Sequence, residues 1–260
     1  MPASYALSRP VRTPLLHRGL ALALFGLLAT ANTAQAKDHI TLGAGVIATP
    51  RYEGSDEYKG RTIPIINARI GRFYARTEDG VGLSLIQSEN LALEAGANMM
   101  WGYGGDDVPP GIGGLSDAIG ARLGLSANFS GAIFSIAATQ AVTHRDRGLL
   151  IKSRVAYPYA ATDRLMLTPS VTANWANEKY MNGYFGVNST QSSRSGLAQY
   201  HPTSGLKDVS LRLTAGYAVT KRLKVSTGVA TSRLVGDAAD SPIVKQKTQF
   251  ETLLGGSYSF

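Results

Sequence analysis

The strongest constraint on the fold is a two-residue alternation at the end of the chain. Apolar or small side chains occupy every second position of residues 250–260, and Gln249, Glu251 and Ser257 lie between them. Leu253 is an apolar exception at an intervening position. Because successive side chains of a β-strand point to opposite faces, this pattern predicts a strand with one apolar and one polar face.

The chain stops on an aromatic residue, Phe260, at the end of the apolar face. This ending resembles the closing strand of bacterial outer-membrane barrels, in which a final Phe is the mark that the barrel assembly machinery reads. The resemblance implies that Phe260 is the contact with that machinery. The edge strand of a soluble β-sandwich has the same alternation, so this stretch alone leaves both folds open.

The amino terminus predicts export. Three arginines precede an apolar run at 19–28, and small residues flank a glutamine at 34–36. This order of positive charge, apolar run and small residues is typical of a secretory signal peptide, and the run is too short for a permanent transmembrane helix. We therefore interpret residues 1–36 as a signal peptide and residues 37–260 as the mature domain. The arginines are Arg9, Arg12 and Arg18.

The composition of residues 37–260 fits a single exported domain. Removal of the signal peptide takes three of the 26 basic residues and none of the 18 acidic ones, so the formal charge falls from +8 to +5. The chain has no cysteine, which excludes disulfides, thiolate nucleophiles and thiolate metal sites. Abundant glycine and tyrosine favour strands and turns over helices.

The same alternation recurs through residues 37–260 and predicts about twelve strands (ten to twelve) of roughly ten residues, the length that a tilted strand needs to cross hydrocarbon. The least regular stretch, 61–76, is interpreted as two strands separated at Gly71. Pro169 lies inside another predicted strand and has no N–H to donate, so we expect a bulge or a local gap there.

The predicted connections alternate in length. Short connections lie near residues 71, 89, 130, 163 and 221, and longer ones cover 50–60, 104–116, 144–148, 177–205 and 236–246, with 78–80 as the exception. Outer-membrane barrels have short periplasmic turns, long external loops and an even number of strands, with both termini in the periplasm. Since lipid offers no partner for an open sheet edge, such a sheet must close. The sequence therefore predicts an all-β fold, a closed antiparallel transmembrane β-barrel in the outer membrane of a Gram-negative cell.

Three segments resemble the MipA/OmpV family of outer-membrane proteins. They are 182–206, with its Asn-Gly-Tyr-Phe-Gly-Val-Asn start, the early loop Pro50-x-Tyr52-x-Gly-Ser55, and Leu234-x-Gly236-Asp237-x-x-x-Ser241-Pro242 followed by the terminal Tyr-x-Phe. The resemblance covers residues 37–260 and implies a barrel surrounded by outer-membrane lipid and lipopolysaccharide. For the name-giving member it implies a scaffold that links a lytic transglycosylase to a bifunctional murein synthase. Other members are described as adhesins or porin-like proteins.

No motif for catalysis or for a cofactor is recognisable, and the sequence predicts no enzyme. His144 and His201 lie in predicted loops near Asp146 and Ser204, but they do not form a recognisable His–Ser pair. The glycine run 111–114 lacks the strand-then-helix setting of a phosphate loop.

The sequence also predicts no metal site and no nucleic-acid partner. Two acidic groups, 106–107 and the pair Asp237 and Asp240, have the oxygen ligands that calcium prefers, but turn and solubility roles fit them better. The sequon at 188–190 most simply has no role in a bacterial barrel.

Charged side chains lie on the face opposite the apolar one in several predicted strands. Because a charge facing mid-bilayer lipid costs about 2–4 kcal/mol, these side chains are expected to face the lumen. They either form a salt-bridge network that fills a narrow barrel or line a basic pore that favours anions. They are Arg122, Lys152, Arg154, Arg212 and Lys224, with Glu94 and Glu251.

Three functions follow from these features. The first is a scaffold of the murein machinery, which depends on the family resemblance. The second is a small-solute pore that favours anions. The third is a surface adhesin acting through loop 177–205 with the aromatic residues Tyr180, Tyr184, Phe185 and Tyr200.

Overall fold

The computed structural model describes residues 38–260, so the predicted signal peptide, 1–36, lies outside the described residues. The described chain is mainly one antiparallel sheet. Its strands are β1 (His39–Pro50), β2 (Tyr58–Ile70), β3 (Phe73–Arg76), β4 (Gly80–Gln87), β5 (Leu91–Met100), β6 (Ala118–Phe129), β7 (Ala132–Ala141), β8 (Leu149–Ala156), β9 (Tyr159–Ala160), β10 (Leu165–Ala176), β11 (Gly205–Ala218), β12 (Leu223–Leu234) and β13 (Thr248–Ser259).

The sheet closes on itself. Apart from β8 and β9, which do not pair with each other, each strand pairs with its neighbour in sequence. β1 pairs with both β2 and β13, with Thr41 opposite Ser259 and Ala48 opposite Thr252. Both β8 and β9 pair with β10, so they are two parts of one wall strand and the barrel has twelve strands. The prediction of a closed twelve-stranded barrel is confirmed.

The two faces of the wall differ as the alternation predicts. On the closing strand, Phe250 and Leu254 are exposed on the outer face, and Gln249 and Ser257 are buried inside. Leu253, the exception in the pattern, pairs with Ile47 and lies on the inner face. The outer surface is therefore a continuous apolar band, and the lumen is mostly polar.

The connections at one end, here called the short-turn end, are tight. The hairpin between β6 and β7 has only Ser130 and Gly131 at its tip, both with positive φ (51° and 84°), which is the geometry of a two-residue type I′ turn. The side chain of Asp38 and the backbone N–H of Phe260 are hydrogen bonded at this end, to Gly71 and Ile40 respectively. Both ends of the described chain therefore lie at the short-turn end.

The opposite end, here called the loop end, carries the long connections and three short helices. These helices are α1 (Glu178–Phe185), α2 (Ser189–Ser195) and α3 (Gly236–Ala239). The amide oxygens of Asn177 and Asn188 accept hydrogen bonds from the backbone at the starts of α1 and α2, which explains why both helices begin there. Among residues 38–260, no helix has the length and apolar character needed to cross a membrane.

Pro169 coincides with a break in the wall. Its partner on β11 is Leu213, in regular register. On the other side, β8 ends at Ala156, and regular pairing resumes at Tyr159 in β9. Between them, the Tyr157 N–H donates to the Pro169 carbonyl at 3.0 Å. The expected local gap is confirmed, since Pro169 cannot donate to that neighbour.

One strand is much shorter than the expected average of roughly ten residues. β3 has four residues, Phe73–Arg76, and it follows the separation expected at Gly71. It pairs with residues 67–70 of β2, and the following turn, 77–79, bends back into β4 partway up the wall. The polar turn residues Thr77, Glu78 and Asp79 stop the strand early.

Candidate functional site

The loop end is covered by an ordered structure, here called the cap, formed by residues 51–57, 101–117, 142–148, 177–204 and 235–247. Its centre is helix α1, in which Tyr180, Met181, Tyr184 and Phe185 are buried. The rings of Tyr180 and Tyr184 stack with their centroids 4.1 Å apart. Burial raises the pKa of both phenols, so both stay neutral donors at neutral pH.

Arg147 connects three segments of the cap and is almost completely buried. Its guanidinium donates to the carbonyl oxygen of Trp101 at 2.9 Å, to that of Ser116 and to the hydroxyl of Tyr184. Its Cζ also lies 4.5 Å from the centroid of the Tyr184 ring. A buried guanidinium with several acceptors holds loop 101–117, loop 142–148 and α1 together.

Lys207 fixes the cap to the wall. Its Nζ lies 2.5 Å from a carboxylate oxygen of Glu53 in the first loop and 2.5 Å from one of Asp208 in β11. The hydroxyl of Tyr180 donates to Glu53 at 3.4 Å, so α1 contacts the same carboxylate. The first loop is held further by Tyr52, whose hydroxyl donates to the carbonyl of Ile243 at 2.9 Å.

This arrangement overturns the proposed role of the loop aromatics in surface adhesion. Tyr180, Tyr184 and Phe185 are buried in the cap, and Tyr200 is half-buried with its hydroxyl donating to the carbonyl of Asp237 at 2.8 Å. The segment 177–205 folds into helices over an apolar core, so its rings stabilise the cap and do not face a surface partner.

The loop residues that the sequence offers as candidates for catalysis, modification or metal binding do not come together in a site. They are either exposed or hydrogen bonded to the backbone of the cap. His144 and His201 are exposed, and Ser204 accepts a hydrogen bond from the N–H of Glu178 with its hydroxyl. Asn188, in the sequon, caps α2. In the part of the chain that the structure describes, no group of three or more His, Asp or Glu residues is placed to hold a metal ion.

The four acidic loop residues make local contacts. Asp107 accepts from Arg51 at 3.1 Å and from Lys59. Burial would raise its pKa, but the hydrogen bonds from Lys59, from the Gly104 N–H and from Arg51 lower it to about 2. Asp106 accepts from Arg51 through its backbone carbonyl. The carboxylate of Asp237 accepts from the N–H and the hydroxyl of Thr203, and the carboxylate of Asp240 pairs with Lys247.

The lumen contains an ion-pair network near β3, β4 and β5. Glu94 accepts from Arg69 at 3.1 Å and from Arg76 at 2.8 Å. Asp79 accepts from Arg76 at 2.9 Å and from Arg122 at 2.7 Å. Sequence reasoning placed Arg122 and Glu94 here but missed Arg69, Arg76 and Asp79, although Arg69 lies at an inward position of β2.

The remaining predicted lumen charges are distributed around the wall. Arg154 pairs with Glu78 at 3.2 Å, and Arg212 pairs with Glu251 at 2.5 Å. Lys152 and Lys224 are at inward positions, exposed and without an ion-pair partner within residues 38–260. The lumen is therefore partly filled by ion pairs and retains an excess of positive charge. Within residues 38–260, the geometry offers a polar chamber and no catalytic arrangement that we recognise.

Comparison with known proteins identifies the family. The family described as MltA-interacting protein MipA matches residues 42–260. The chain belongs to this family. The resemblance deduced from the early loop, the 182–206 segment and the end of the chain is thus confirmed. Segment 182–206 contributes to α1 and α2, so part of the family pattern lies in the cap.

Two relatives cover nearly the whole chain. YiaT of Escherichia coli strain K12, whose name refers to the outer membrane, is 25% identical over 255 residues, 92% of this chain and 97% of its own. The MltA-interacting protein of the same strain is 27% identical over 246 residues, 92% of this chain and 98% of its own. A solved structure of the NanC porin is 10% identical, with a TM-score of 0.44, and covers 84% of this chain and 98% of its own. The protein is an outer-membrane β-barrel of the MipA family.

Proposed function

We propose that this protein is a non-enzymatic scaffold that holds murein-modifying enzymes at the outer membrane, with a lytic transglycosylase as its first partner. The observation that carries the proposal is the family match together with a relative named MltA-interacting protein. The cap supports it indirectly, because the loop end is internally packed and the rings of Tyr180, Tyr184 and Phe185 are buried in it. The short-turn end, which faces the periplasm in this proposal, is the end that remains for binding.

A cluster of positive charge on this end is the surface that we propose for binding. Arg164, Lys221 and Arg222 are exposed in two neighbouring turns, which are joined by a hydrogen bond from the Ala218 N–H to the Arg164 carbonyl at 2.8 Å. We call these three residues the basic patch. One acidic residue, Asp163, directly precedes Arg164 in the same turn. A surface of this kind steers and orients a partner with an acidic face.

Binding of the purified, detergent-solubilised protein to a purified lytic transglycosylase tests the scaffold function. Biolayer interferometry is expected to give a saturable signal that weakens as salt rises, because charged surfaces meet. The absence of binding at low salt, in mild detergent and with both a lytic transglycosylase and a murein synthase, would overturn the proposal.

A second function, a conduit for small anions, has its own support in the lumen. Lys152 and Lys224 are inward-facing cations outside the ion-pair network. Such unpaired cations attract hydrophilic anions into a wet lumen. Since the cap covers the loop end, a conduit would need an opening elsewhere in the wall. Planar-bilayer recordings test it: current steps with anion preference are expected, and electrical silence would remove this function.

A further inference from the structure

The short β3–β4 hairpin leaves the wall incomplete on one side. β3 pairs with β2 only at residues 67–70, and turn 77–79 then reverses the chain. β2 continues toward the loop end to Tyr58, and over this length β1 is its only partner among the described strands. Two strand positions are thus missing between β2 and β5, which at about 4.8 Å per strand corresponds to roughly 14 Å in a regular wall.

This opening, here called the window, has a bonded frame. At its lower edge, the Thr77 N–H donates to the carbonyl of Ile66 at 3.0 Å, and the Asn98 side chain donates to the carbonyl of Glu78 at 3.1 Å. At its upper edge, Asp107 of loop 101–117 is held by Lys59 at the start of β2. The sides are residues 60–64 of β2 and residues 98–100 of β5. The gap is therefore a defined feature of the fold.

The backbone of β2 requires water in the window. The carbonyl of Pro64 and the N–H of Ile66 bond to Thr77, on the side away from β1, so the backbone of Gly60 and Thr62 points the same way by alternation. In the described part of the chain, no strand pairs with Gly60 or Thr62 on that side. An unpaired backbone group in hydrocarbon costs several kcal/mol, and such backbone is tolerated at membrane depth where it lines a water-filled cavity.

The sequence of this edge disfavours a protein strand as the occupant. Pro64 has no N–H to pair, and Gly60 weakens any strand that it joins. Proline on an exposed edge is one way in which proteins prevent the addition of a further strand. The edge is therefore suited to remain open to solvent.

The charges behind the window select the solute. The carboxylates of turn 77–79 are engaged by lumen arginines, Glu78 by Arg154 and Asp79 by Arg122. Arg61 lies at an inward position beside the window and has no ion-pair partner in the described chain. We propose that the window is a lateral passage through which small hydrophilic anions move between the lumen and the outside of the barrel. This proposal rests on the proposed conduit function. The lateral passage would take the place of a route along the barrel axis, which the cap covers.

Thiol labelling of the protein in liposomes tests the passage directly, because the chain has no cysteine of its own. Ile63 is at an inward position beside the window, so Ile63→Cys reports on access to the lumen. Val46→Cys is the matched control, since Val46 lies opposite Thr62 but is exposed on the outer face of a strand that is paired on both sides. With the anionic, membrane-impermeant reagent sulfonatoethyl methanethiosulfonate, Ile63→Cys is expected to react at least about tenfold faster than Val46→Cys.

A second pair of variants distinguishes the window from any other route. A side chain added at Gly60 meets nothing within 4 Å, and the same holds at Gly256 in the fully paired β13. In the Ile63→Cys protein, Gly60→Trp is expected to slow labelling at least about tenfold, and Gly256→Trp to leave the rate unchanged. Thr62→Trp provides the same obstruction if Gly60→Trp does not assemble, and heat-modifiable gel mobility checks the fold of every variant.

Two results would overturn the passage. One is an Ile63→Cys protein as unreactive as Val46→Cys, and the other is a labelling rate that neither Gly60→Trp nor Thr62→Trp changes. Bilayer conductance measured on the same variants separates the two proposals. Current that persists in Gly60→Trp and Thr62→Trp would reject the window and keep the conduit, whereas silence of the unmodified protein would reject the conduit itself.

Discussion

The guanidinium of Arg147 donates to the hydroxyl of Tyr184 and lies against the face of the same ring, 4.5 Å from its centroid. The Tyr184 hydroxyl in turn donates to the carbonyl of Trp101 at 2.6 Å. This relationship joins a one-turn 3₁₀ helix, Arg145–Arg147, to helix α1 and to the end of β5. It explains how loops that are distant in sequence form one cap.

Replacement of Arg147 is expected to loosen the cap without unfolding the barrel. Arg147→Ala removes the donor to the Tyr184 hydroxyl and to the Ser116 carbonyl, at about 1–3 kcal/mol for each buried group that stays unsatisfied, while the Trp101 carbonyl keeps the Tyr184 hydroxyl as its donor. Limited proteolysis in detergent should therefore cut loop 177–204 at least about tenfold faster. Arg145→Ala, an exposed change in the same turn, is the control. Equal cleavage of the two variants would show that Arg147 does not hold the cap.

The upper edge of the window is expected to respond to acid. The pKa of Asp107 is about 2 in the fold, below its ordinary value near 3.8, so its contacts with Lys59 and Arg51 stabilise the loop above about pH 4. That contribution is lost as pH falls from about 4 through 2, because protonation removes the charge. The hydrogen-exchange protection factor of the Gly104 amide, which donates to Asp107 at 3.1 Å, should fall as the pH is lowered from about 4 to about 2. In Asp107→Asn the protection should be low at all pH values, and an unchanged acid-dependent fall in that variant would assign the effect to another group.

The ion-pair network around Glu94 in the lumen is expected to contribute more to the free energy of unfolding than the separate pair Arg212–Glu251. Glu94→Gln leaves Arg69 and Arg76 without their shared carboxylate in a buried setting, and a loss of about 3 kcal/mol is expected. Glu251→Gln removes the partner of Arg212, and both of those side chains are more exposed, so under about 1 kcal/mol is expected. Urea unfolding in lipid vesicles measures both. Similar losses would contradict a cooperative network.

The basic patch is expected to control partner binding. Replacing Arg164, Lys221 and Arg222 together by alanine should weaken lytic transglycosylase binding at least about tenfold and reduce its salt dependence. A double change at the loop end, Lys179→Ala with Arg194→Ala, removes exposed charge without touching the patch. If the double change weakens binding and the patch variant does not, the partner binds the loop end and the proposed orientation is wrong.

Much of the barrel was predictable because its determinants are local. Alternation along 250–260 is a property of one strand, and the short hairpins near 130 and 221 depend on turn residues that adjoin in sequence. Even the break at Pro169 follows from the missing N–H of a single residue. The two-residue alternation and the residues of the tight turns were therefore enough to predict the barrel and its closure.

The cap and the window were not predictable in the same way. The acceptors of Arg147 lie 31 to 47 residues earlier in the chain and 37 residues later, and Lys207 pairs with Glu53 across 154 residues. No periodicity encodes such contacts. The interpretation of 61–76 as two strands separated at Gly71 leaves only five residues for the second strand, close to the four of β3. The opening beside β2 was still not predictable, because a short strand alone does not show which part of its neighbour remains unpaired.

Closure of the barrel between its first and last strands is tested most directly by a disulfide across that seam. The hydroxyl oxygens of Thr41 and Ser259 lie 2.9 Å apart on the inner face, and the chain has no cysteine of its own. In membranes, mild oxidation of the Thr41→Cys, Ser259→Cys protein should give an intramolecular disulfide, so that a chain cut in a loop still migrates as one species until it is reduced. Two free thiols in the assembled protein, or only intermolecular crosslinks, would contradict a closed barrel.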